Sequence, residues 1–464
     1  MSQALHHIGR MVVDLELDSA STGEKLQHVY PDVFGRDFES GLGNVCDHIA
    51  SGDEWIVIDK LELDLGTIRL ENLQKSIEGS LLQALLTQKY QLQNYLSGKH
   101  NFSIASSTLW TEVLILYLQS GNFPWWLGDV TCAELESKLP AEFRMWQPAM
   151  LSRLINSLNR PKDWRRFNYQ FSLDFRKQLM VNLFPEVSYF LFNTADVFVG
   201  YLSGISLRVA LTDEIWQKIF LLILSNSEKD KPSTEIMLKA EIFRYACLQN
   251  GLEPKEAAGV LPQKLKKRIW QQFSSGLMVK QAEKKDQSIE DQQVEFYRSD
   301  EYNIPNSGLV ILWPYLPELF SNLNLLQQND FIDEELRRRA VFLLQYLATG
   351  VAGGYENDLI LNKILCGCPI DEPVGRLIEL SEKEAIILDE FLEILIKNWT
   401  ALKKTSNESI RETFILRTGF LKTTNNSLNL KVERKGVDIL RDMLPWNISV
   451  IKLPWMNEIL FVEW

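Results

Sequence analysis

Apolar and polar residues alternate with the period of a β-strand in two stretches near the N-terminus. Val13, Leu15 and Leu17 fall on one face of the first stretch, and the second runs from Trp55 to Gly66. Both contain Leu-Glu-Leu-Asp, which is more typical of half-buried acidic strands than of an internal duplication. Helical spacing follows each stretch, at 22–50 (broken near Pro31) and at 70–97. The pattern predicts a β-α-β-α unit over residues 1–100.

The middle of the chain has the 3.6-residue period of amphipathic helices. A helix is predicted at 107–120, ending at Gly121 in the left-handed conformation that glycine adopts readily. Thr131 and Glu134 have the spacing of a capping box. Further helices are predicted at 147–158, 174–184, 212–225, 233–250 and 255–275. We therefore expect a helical middle domain over residues 101–277.

A change of composition marks the end of this domain. Residues 278–307 are polar, mixed in charge and rich in glutamine, so little there could bury a core. We interpret them as a flexible linker. The C-terminal domain, 308–464, is again dense in apolar residues.

The C-terminal domain combines helices with returning strand patterns. Capping boxes are predicted at Ser381 and at Thr405, the second opening a helix that ends at Gly419. Other helices are predicted at 309–325, 332–348 and 382–399, and strands at 428–432, 448–453 and 459–464. The predicted fold class is α+β, with a mostly helical core and strands in the N-terminal unit and at the C-terminus.

Charge and cysteine usage narrow the possible functions. The net charge is −12, and the acidic excess lies at the two ends, since residues 101–307 carry 24 basic and 24 acidic side chains. This balance disfavours binding to nucleic acid or to anionic lipid. The five scattered cysteines favour a reducing cytoplasm. No apolar run is long enough to span a bilayer, so we expect no membrane insertion.

No set of residues has the spacing of a catalytic or metal centre. All five histidines lie in the first 100 residues, and Cys366 and Cys368 lack the further ligands that zinc requires. That cysteine pair is expected in a tight turn before Pro369. Two basic clusters, Arg160–Arg166 and Lys264–Arg268, are interpreted as solvated helix faces rather than nucleic-acid sites. We expect no catalytic residue, no cofactor and no metal.

Proline beside tryptophan recurs along the chain. Proline fixes a backbone angle and tryptophan offers a large rigid surface, which suits both core packing and protein docking. Core packing is the favoured interpretation. The candidate interaction or structural anchors are Phe123, Pro124, Trp125, Trp126, Trp313, Pro314, Trp446, Pro454 and Trp455.

At these residues the sequence resembles the tape measure proteins of contractile injection systems, which are phage-tail-like particles. No single piece is decisive, but their order and number span almost the whole chain. The similar pieces are His7–Arg10, Ile58–Gly66, Leu118–Trp126, Gly308–Leu316, Leu344–Gly350, Leu361–Gly367 and Leu453–Met456.

This resemblance implies a non-catalytic assembly protein that helps set inner-tube length or docks the tube to the baseplate. It implies tube, spike or baseplate proteins as partners, with an assembly ATPase as a further candidate. We expect the chain in the cytoplasm during assembly and then within the particle. Two alternatives stay open: a cytoplasmic scaffold or assembly factor absent from the particle and, more remotely, an enzyme with an unrecognised acidic site.

A ruler needs an extended shape, and the sequence predicts packed domains. A fully helical chain of this length could reach roughly 700 Å at about 1.5 Å per residue. The predicted strands, prolines and short helices favour a compact form, which suits docking better than measurement.

Limited proteolysis tests the predicted domain boundaries. The first cuts are expected within 278–307, because a polar segment without a core is accessible to a protease. Fragments should be identified by mass spectrometry. Preferred cutting inside 107–275 would show that the boundary is misplaced.

Overall fold

The computed structural model describes most of the chain after residue 100. The described residues are 101–464 without 129, 226–230, 276–300, 403–404 and 425–426, together with 13, 16, 17, 42, 46, 54–58, 63–67, 79–81, 83 and 84. Most of the predicted β-α-β-α unit therefore lies outside the described residues.

One strand of that N-terminal unit is described. Strand β1, Glu54–Ile58, pairs antiparallel with β2, Asn101–Ala105, which the sequence did not indicate. The predicted strand was too long, since residues 63–67 have no strand structure. Gly66 has a φ of +64°, and its N–H donates to Asp64 Oδ1 over 2.9 Å. This local turn ends the alternation that the sequence shows.

Residues 101–275, hereafter the helical unit, consist of consecutive helices around one apolar cluster. Leu109–Ser120 (α1) ends at Gly121, whose φ of +78° confirms the predicted left-handed cap. Its core-facing side chains between Val113 and Leu118 are almost fully buried. The helices that follow are α2 Cys132–Lys138, α3 Pro148–Leu158, α4 Pro161–Gln170, α5 Leu173–Leu183, α6 Pro185–Gly204, α7 Asp213–Ser225, α8 Lys231–Gln249, α9 Pro254–Ala257 and α10 Gln263–Ser275.

Residues 301–464, hereafter the C-terminal unit, pack helices against one face of a five-stranded sheet. The strand order is β3-β6-β7-β9-β8, and only β7 and β9 run parallel. The strands are β3 Glu301–Ile304, β6 Gly419–Thr424, β7 Ser427–Val432, β8 Val450–Ile451 and β9 Ile459–Glu463, with a separate hairpin of β4 Leu326–Gln327 and β5 Asp330–Phe331. The helices are α11 Leu316–Asn322, α12 Glu334–Thr349, α13 Ile360–Leu365, α14 Glu382–Asn398 and α15 Asn407–Ile410. The predicted α+β class with a helical core is confirmed.

The predicted strand patterns mark the buried face of this sheet. Leu428, Leu430 and Val432 alternate on β7 and are at most 4% exposed, as their period of two predicts. The terminal pair of strands is also present, because β8 lies antiparallel to β9. The opposite sheet face carries polar and apolar side chains in contact with solvent.

Helix capping agrees with the sequence at one box and differs at another. Ser381 and Glu384 form the complete reciprocal box at the start of α14. The box predicted at Thr405 is wrong, because Ser406 caps α15 instead and the Thr405 hydroxyl donates to Leu402 O. The observed helix, α15, is shorter than the predicted one, which ended at Gly419. A five-residue π-helix, Arg411–Ile415, follows it.

The predicted linker overlaps the sheet at its C-terminal end. Glu301–Ile304 form strand β3, which pairs with β6, and Ser307 is fully buried. The boundary at 307 is therefore corrected to a position before Glu301, because β6 offers backbone partners that the sequence alone does not show. Residues 278–300 lie outside the described residues, and the division into domains stays a prediction.

Substituting Gly308 tests the packing of the C-terminal unit. A Cβ at this position would lie 1.7 Å from Phe414 O and 2.7 Å from Ile415 Cα, so backbone would have to move. Gly308→Ala is expected to lower the free energy of unfolding by about 3 kcal/mol. The control is Gly436→Ala, where a Cβ meets nothing within 4 Å. Equal denaturation midpoints for the two variants would contradict the prediction.

Candidate functional site at the junction of the two units

Helix α4 carries the helical unit's side of a polar junction. Pro161 lies in its first turn, where a missing N–H costs no helical hydrogen bond. Trp164 and Phe167 point into the apolar cluster and are at most 4% exposed. Arg166 and Gln170, four residues apart on the same helix, are fully buried as well. This polar pair faces the C-terminal unit.

The opposite side of the junction is the segment 355–376. A 3-10 turn, Glu356–Leu359, leads into α13, and a turn at Gly367 follows that helix. The Cys368 N–H donates to Lys363 O over 2.8 Å, which gives the tight turn expected around Cys366 and Cys368. This path brings Glu356 and Lys363 together inside the protein.

Arg166, Glu356 and Lys363, hereafter the ionic junction, form a buried ion cluster between the two units. Arg166 Nε lies 2.9 Å from Glu356 Oε2, and its Nη2 lies 3.1 Å from Oε1. Lys363 Nζ donates to Glu356 Oε1 over 2.7 Å. The three side chains are at most 1% exposed. One carboxylate therefore balances two cations, one from each unit.

Backbone carbonyls provide the remaining hydrogen-bond acceptors of the two cations. Arg166 donates to Leu118 O within its own unit and, over 2.7 Å, to Asp371 O of the C-terminal unit. Lys363 Nζ donates to Ile370 O over 2.9 Å. These carbonyls partly replace the hydration that both cations lose on burial.

Burial disfavours the charged forms of Arg166 and Lys363, and the Glu356 carboxylate favours them. Burial lowers the pKa of Arg166, but the attraction and hydrogen bonds of Glu356 outweigh it and leave this pKa raised. Burial lowers the pKa of Lys363, and the attraction of Glu356 only partly offsets that effect. Loss of the Glu356 charge would therefore remove the main counter-charge of both buried cations and leave Arg166 with the weaker attraction of Asp163.

Further polar contacts surround the ionic junction. Gln170 Nε2 donates to Val374 O over 2.8 Å, and the Glu356 N–H donates to Gln170 Oε1 over 3.2 Å. Lys162 pairs with Asp371 and Arg165 with Glu372 at the half-exposed rim. The junction is polar from its buried centre to its edge.

Gly121 makes room for the central ion pair. A Cβ at this position would lie 2.6 Å from Glu356 Oε1 and 3.0 Å from Arg166 Nε. Its positive φ also favours glycine, so two independent constraints act on the same residue. The cap that ends α1 thus also admits the carboxylate of the other unit.

The first group of predicted anchors lies near α1. Phe123 stacks on Tyr117 with ring centroids 4.5 Å apart, and Pro124 O accepts the Leu127 N–H over 3.1 Å. Trp126 is 7% exposed and lies 6.0 Å from the ring of Trp55. The side chain of Trp125 lies outside the described residues.

The C-terminal anchors link distant segments through indole hydrogen bonds to backbone carbonyls. Trp313 donates to Asn447 O over 2.8 Å, Trp446 to Ile311 O over 3.0 Å, and Trp455 to Leu365 O over 2.8 Å. Pro314 lies within a 3-10 turn, and Pro454 is exposed beside the buried Trp455. These geometries suit structural anchoring, and a role in docking a partner stays a prediction.

Among the described residues there is no metal-binding cluster, and burial keeps two of the thiols protonated. No group of three or more His, Cys, Asp or Glu side chains among them could hold a metal ion. Burial raises the pKa of Cys132 to about 12 and that of Cys368 to about 11, so neither thiol is poised as a nucleophile. Burial also raises the pKa of Asp163 to about 6, and this carboxyl accepts a hydrogen bond from Ser157.

Sequence reasoning misjudged one basic cluster and missed the acidic partner. Arg166 and Trp164 of the cluster Arg160–Arg166 are buried, so the interpretation as a solvated helix face was wrong there. It holds for Lys264–Arg268, whose basic side chains are exposed. The available signal was the polar pair Asn362-Lys363, which interrupts the otherwise apolar stretch from Leu359 to Leu365. Glu356 has no comparable signal, because its partner lies 190 residues away.

The site and the fold together define the class of protein: a unit of consecutive helices and a unit with a mixed five-stranded sheet, joined by a polar junction. Residues 5–464 match the family model of the contractile injection system tape measure protein, and the chain belongs to that family. This membership supports a role in tube length and particle assembly. No curated protein and no solved structure matches the chain significantly. In the part of the chain that can be described, no helix has the length and apolarity needed to cross a membrane.

Removing the charge of Glu356 tests the energetic role of the ionic junction. Glu356→Gln should lower the free energy of unfolding by about 3–5 kcal/mol, because it removes the main counter-charge of two buried cations. Urea unfolding followed by tryptophan fluorescence measures this change. Lys431→Gln removes the exposed pair with Glu463 and should have no measurable effect. Equal stability of the two variants would contradict a central role for Glu356.

Proposed function

We propose that this protein acts as a non-catalytic assembly protein that docks the inner tube to the baseplate in a compact form. The observation that carries this proposal is the buried junction, which holds the helical and C-terminal units against each other. Two units packed through buried charges present fixed surfaces to a partner. An extended ruler would instead need the units to be drawn apart.

The described helices also favour docking over literal measurement. The longest of them, Pro185–Gly204, has 20 residues and therefore spans about 30 Å. Helices α8 and α6 pack against each other, as do α8 and α10, so the chain folds back on itself. Successive helices that fold back add little length along any one axis.

The proposed partners are tube, spike or baseplate proteins, with an assembly ATPase as a further candidate. Assembly in the cytoplasm followed by incorporation into the particle is part of the same proposal. The half-buried Trp313 and Trp446 and the solvent-facing side of the sheet, with the exposed Phe420 and Phe461, are candidate contact surfaces. The second candidate function is that of a scaffold that stays outside the particle. The amount of this protein in purified particles distinguishes the two candidates.

An in-frame duplication separates docking from measurement. Duplicating residues 212–275 would add about 95 Å to an extended helical ruler, at about 1.5 Å per inserted residue. We expect tubes of unchanged length in electron micrographs, because α7, α8, α9 and α10 form a folded body. Tubes longer by about 95 Å would overturn docking and establish the ruler.

The gene deletion and the particle composition are the controls for that experiment. Deletion should abolish full-length particles, and normal particles would contradict any assembly role. Mass spectrometry of purified particles must detect the duplicated chain before tube lengths are compared. Full-length particles that lack the chain altogether would support the external scaffold.

A further inference from the structure

The two units meet through a mainly polar contact, and each unit has its own apolar cluster. Their apolar clusters have no buried residue in common, and one comprises residues from Val57 to Ile269 while the other comprises residues from Ile304 to Val462. The ring of Tyr355 is the C-terminal side chain that packs against the helical cluster. Interfaces of this polar kind allow relative domain motion more readily than large apolar ones.

The hydrogen bonds and ion pairs described at the junction join α4 to the segment 355–376. They involve Lys162, Arg165, Arg166 and Gln170 on one side. Separation along this line would break no helix and no strand pairing of either unit. It would mainly return charged and amide groups to water, where they are solvated well.

Each unit keeps its charges balanced when the contact opens. Glu356 retains Lys363, which lies in the same unit at 2.7 Å. Arg166 retains its bond to Leu118 O and the attraction of Asp163, three residues before it on α4. A buried charge without a partner would oppose opening, and this arrangement creates none.

We propose that the ionic junction is a separable latch, from which the helical unit and the C-terminal unit come apart as intact bodies. Closure adds Arg166 to the Glu356–Lys363 pair and buries all three side chains. Opening returns Arg166 to solvent and leaves that pair in place. The latch gives the protein a compact state and a longer state without unfolding either unit.

The absence of a side chain at Gly121 lets the two units approach each other closely at the latch. A methyl group there would meet both Glu356 Oε1 and Arg166 Nε, so it would act as a wedge in the closed state. Once the units were apart, the methyl group would no longer meet Glu356 Oε1, the one of these two atoms that belongs to the C-terminal unit. Gly121→Ala therefore acts on closure itself, beyond the backbone strain of its positive φ.

A distance measurement in the full chain tests the latch. Spin labels on Ser203→Cys and Glu393→Cys, both exposed positions, report the separation of the units. Cys46→Ser removes the one partly exposed thiol, since the other four cysteines are buried. Arg166→Met weakens the latch while leaving Glu356 paired with Lys363. Gly251→Ala, with a φ of +64° and no atom within 4 Å of its Cβ, reproduces the strain of Gly121→Ala without the wedge.

The double variant Arg166→Met/Gly121→Ala should show a second population of longer distances, with far-UV circular dichroism unchanged. Its ratio of separated to closed molecules should exceed that of Arg166→Met/Gly251→Ala by about tenfold or more, since the wedge opposes closure directly. Arg166→Met alone should raise the ratio by about tenfold or more over the unsubstituted chain, because hydrogen bonds to a charged group are lost. A single unchanged distance in the double variant would overturn the latch. Loss of helical signal together with the distance change would overturn it too, since the units would then unfold as one body.

Discussion

The carboxylate of Glu356 is shared by two buried cations that reach it from different parts of the chain. Arg166 comes from α4, and Lys363 comes from the same unit as Glu356 itself. Charges are costly to bury, so the surrounding carbonyls, the glycine at 121 and the turn at 367 have to be placed around them. The contact between the two units is centred on this cluster, and each unit has a separate cluster of buried apolar residues.

The tryptophans of the C-terminal unit form contacts within that unit rather than between the two units. In the C-terminal unit they fix loops to one another, as when Trp313 and Trp446 donate to carbonyls of each other's segments. Each indole combines a large apolar surface with one N–H that must find an acceptor. Such a bond holds a loop in one place, which a purely apolar contact does less specifically. These bonds connect distant segments of the C-terminal unit to one another.

Family membership associates this protein with tube length, whereas its described helices fold back on one another. The described helices are short and fold back, and the units are joined by charges rather than by a continuous core. A polar junction can release without exposing a large apolar surface. The proposed docking in the closed form and the proposed separation of the units are therefore compatible, and independent experiments test them.

Local periodicity and capping chemistry let the sequence alone determine the α+β class, the helices α1, α12 and α14, the strands β7 and β9, and the left-handed glycine at 121. Those features depend on residues within one or two turns of each other, so a sequence pattern carries them. Strand β3, the cap at Ser406 and the burial of Arg166 were decided by tertiary structure. Strand β3 needs the edge of β6, more than 110 residues later, to supply its hydrogen-bond partners. Arg166 looks like a solvated basic residue until a carboxylate 190 residues away is folded against it. The sequence around a charged residue does not show whether that residue is solvated by water or paired with a buried counter-ion. For that physical reason only the folded chain could reveal the junction.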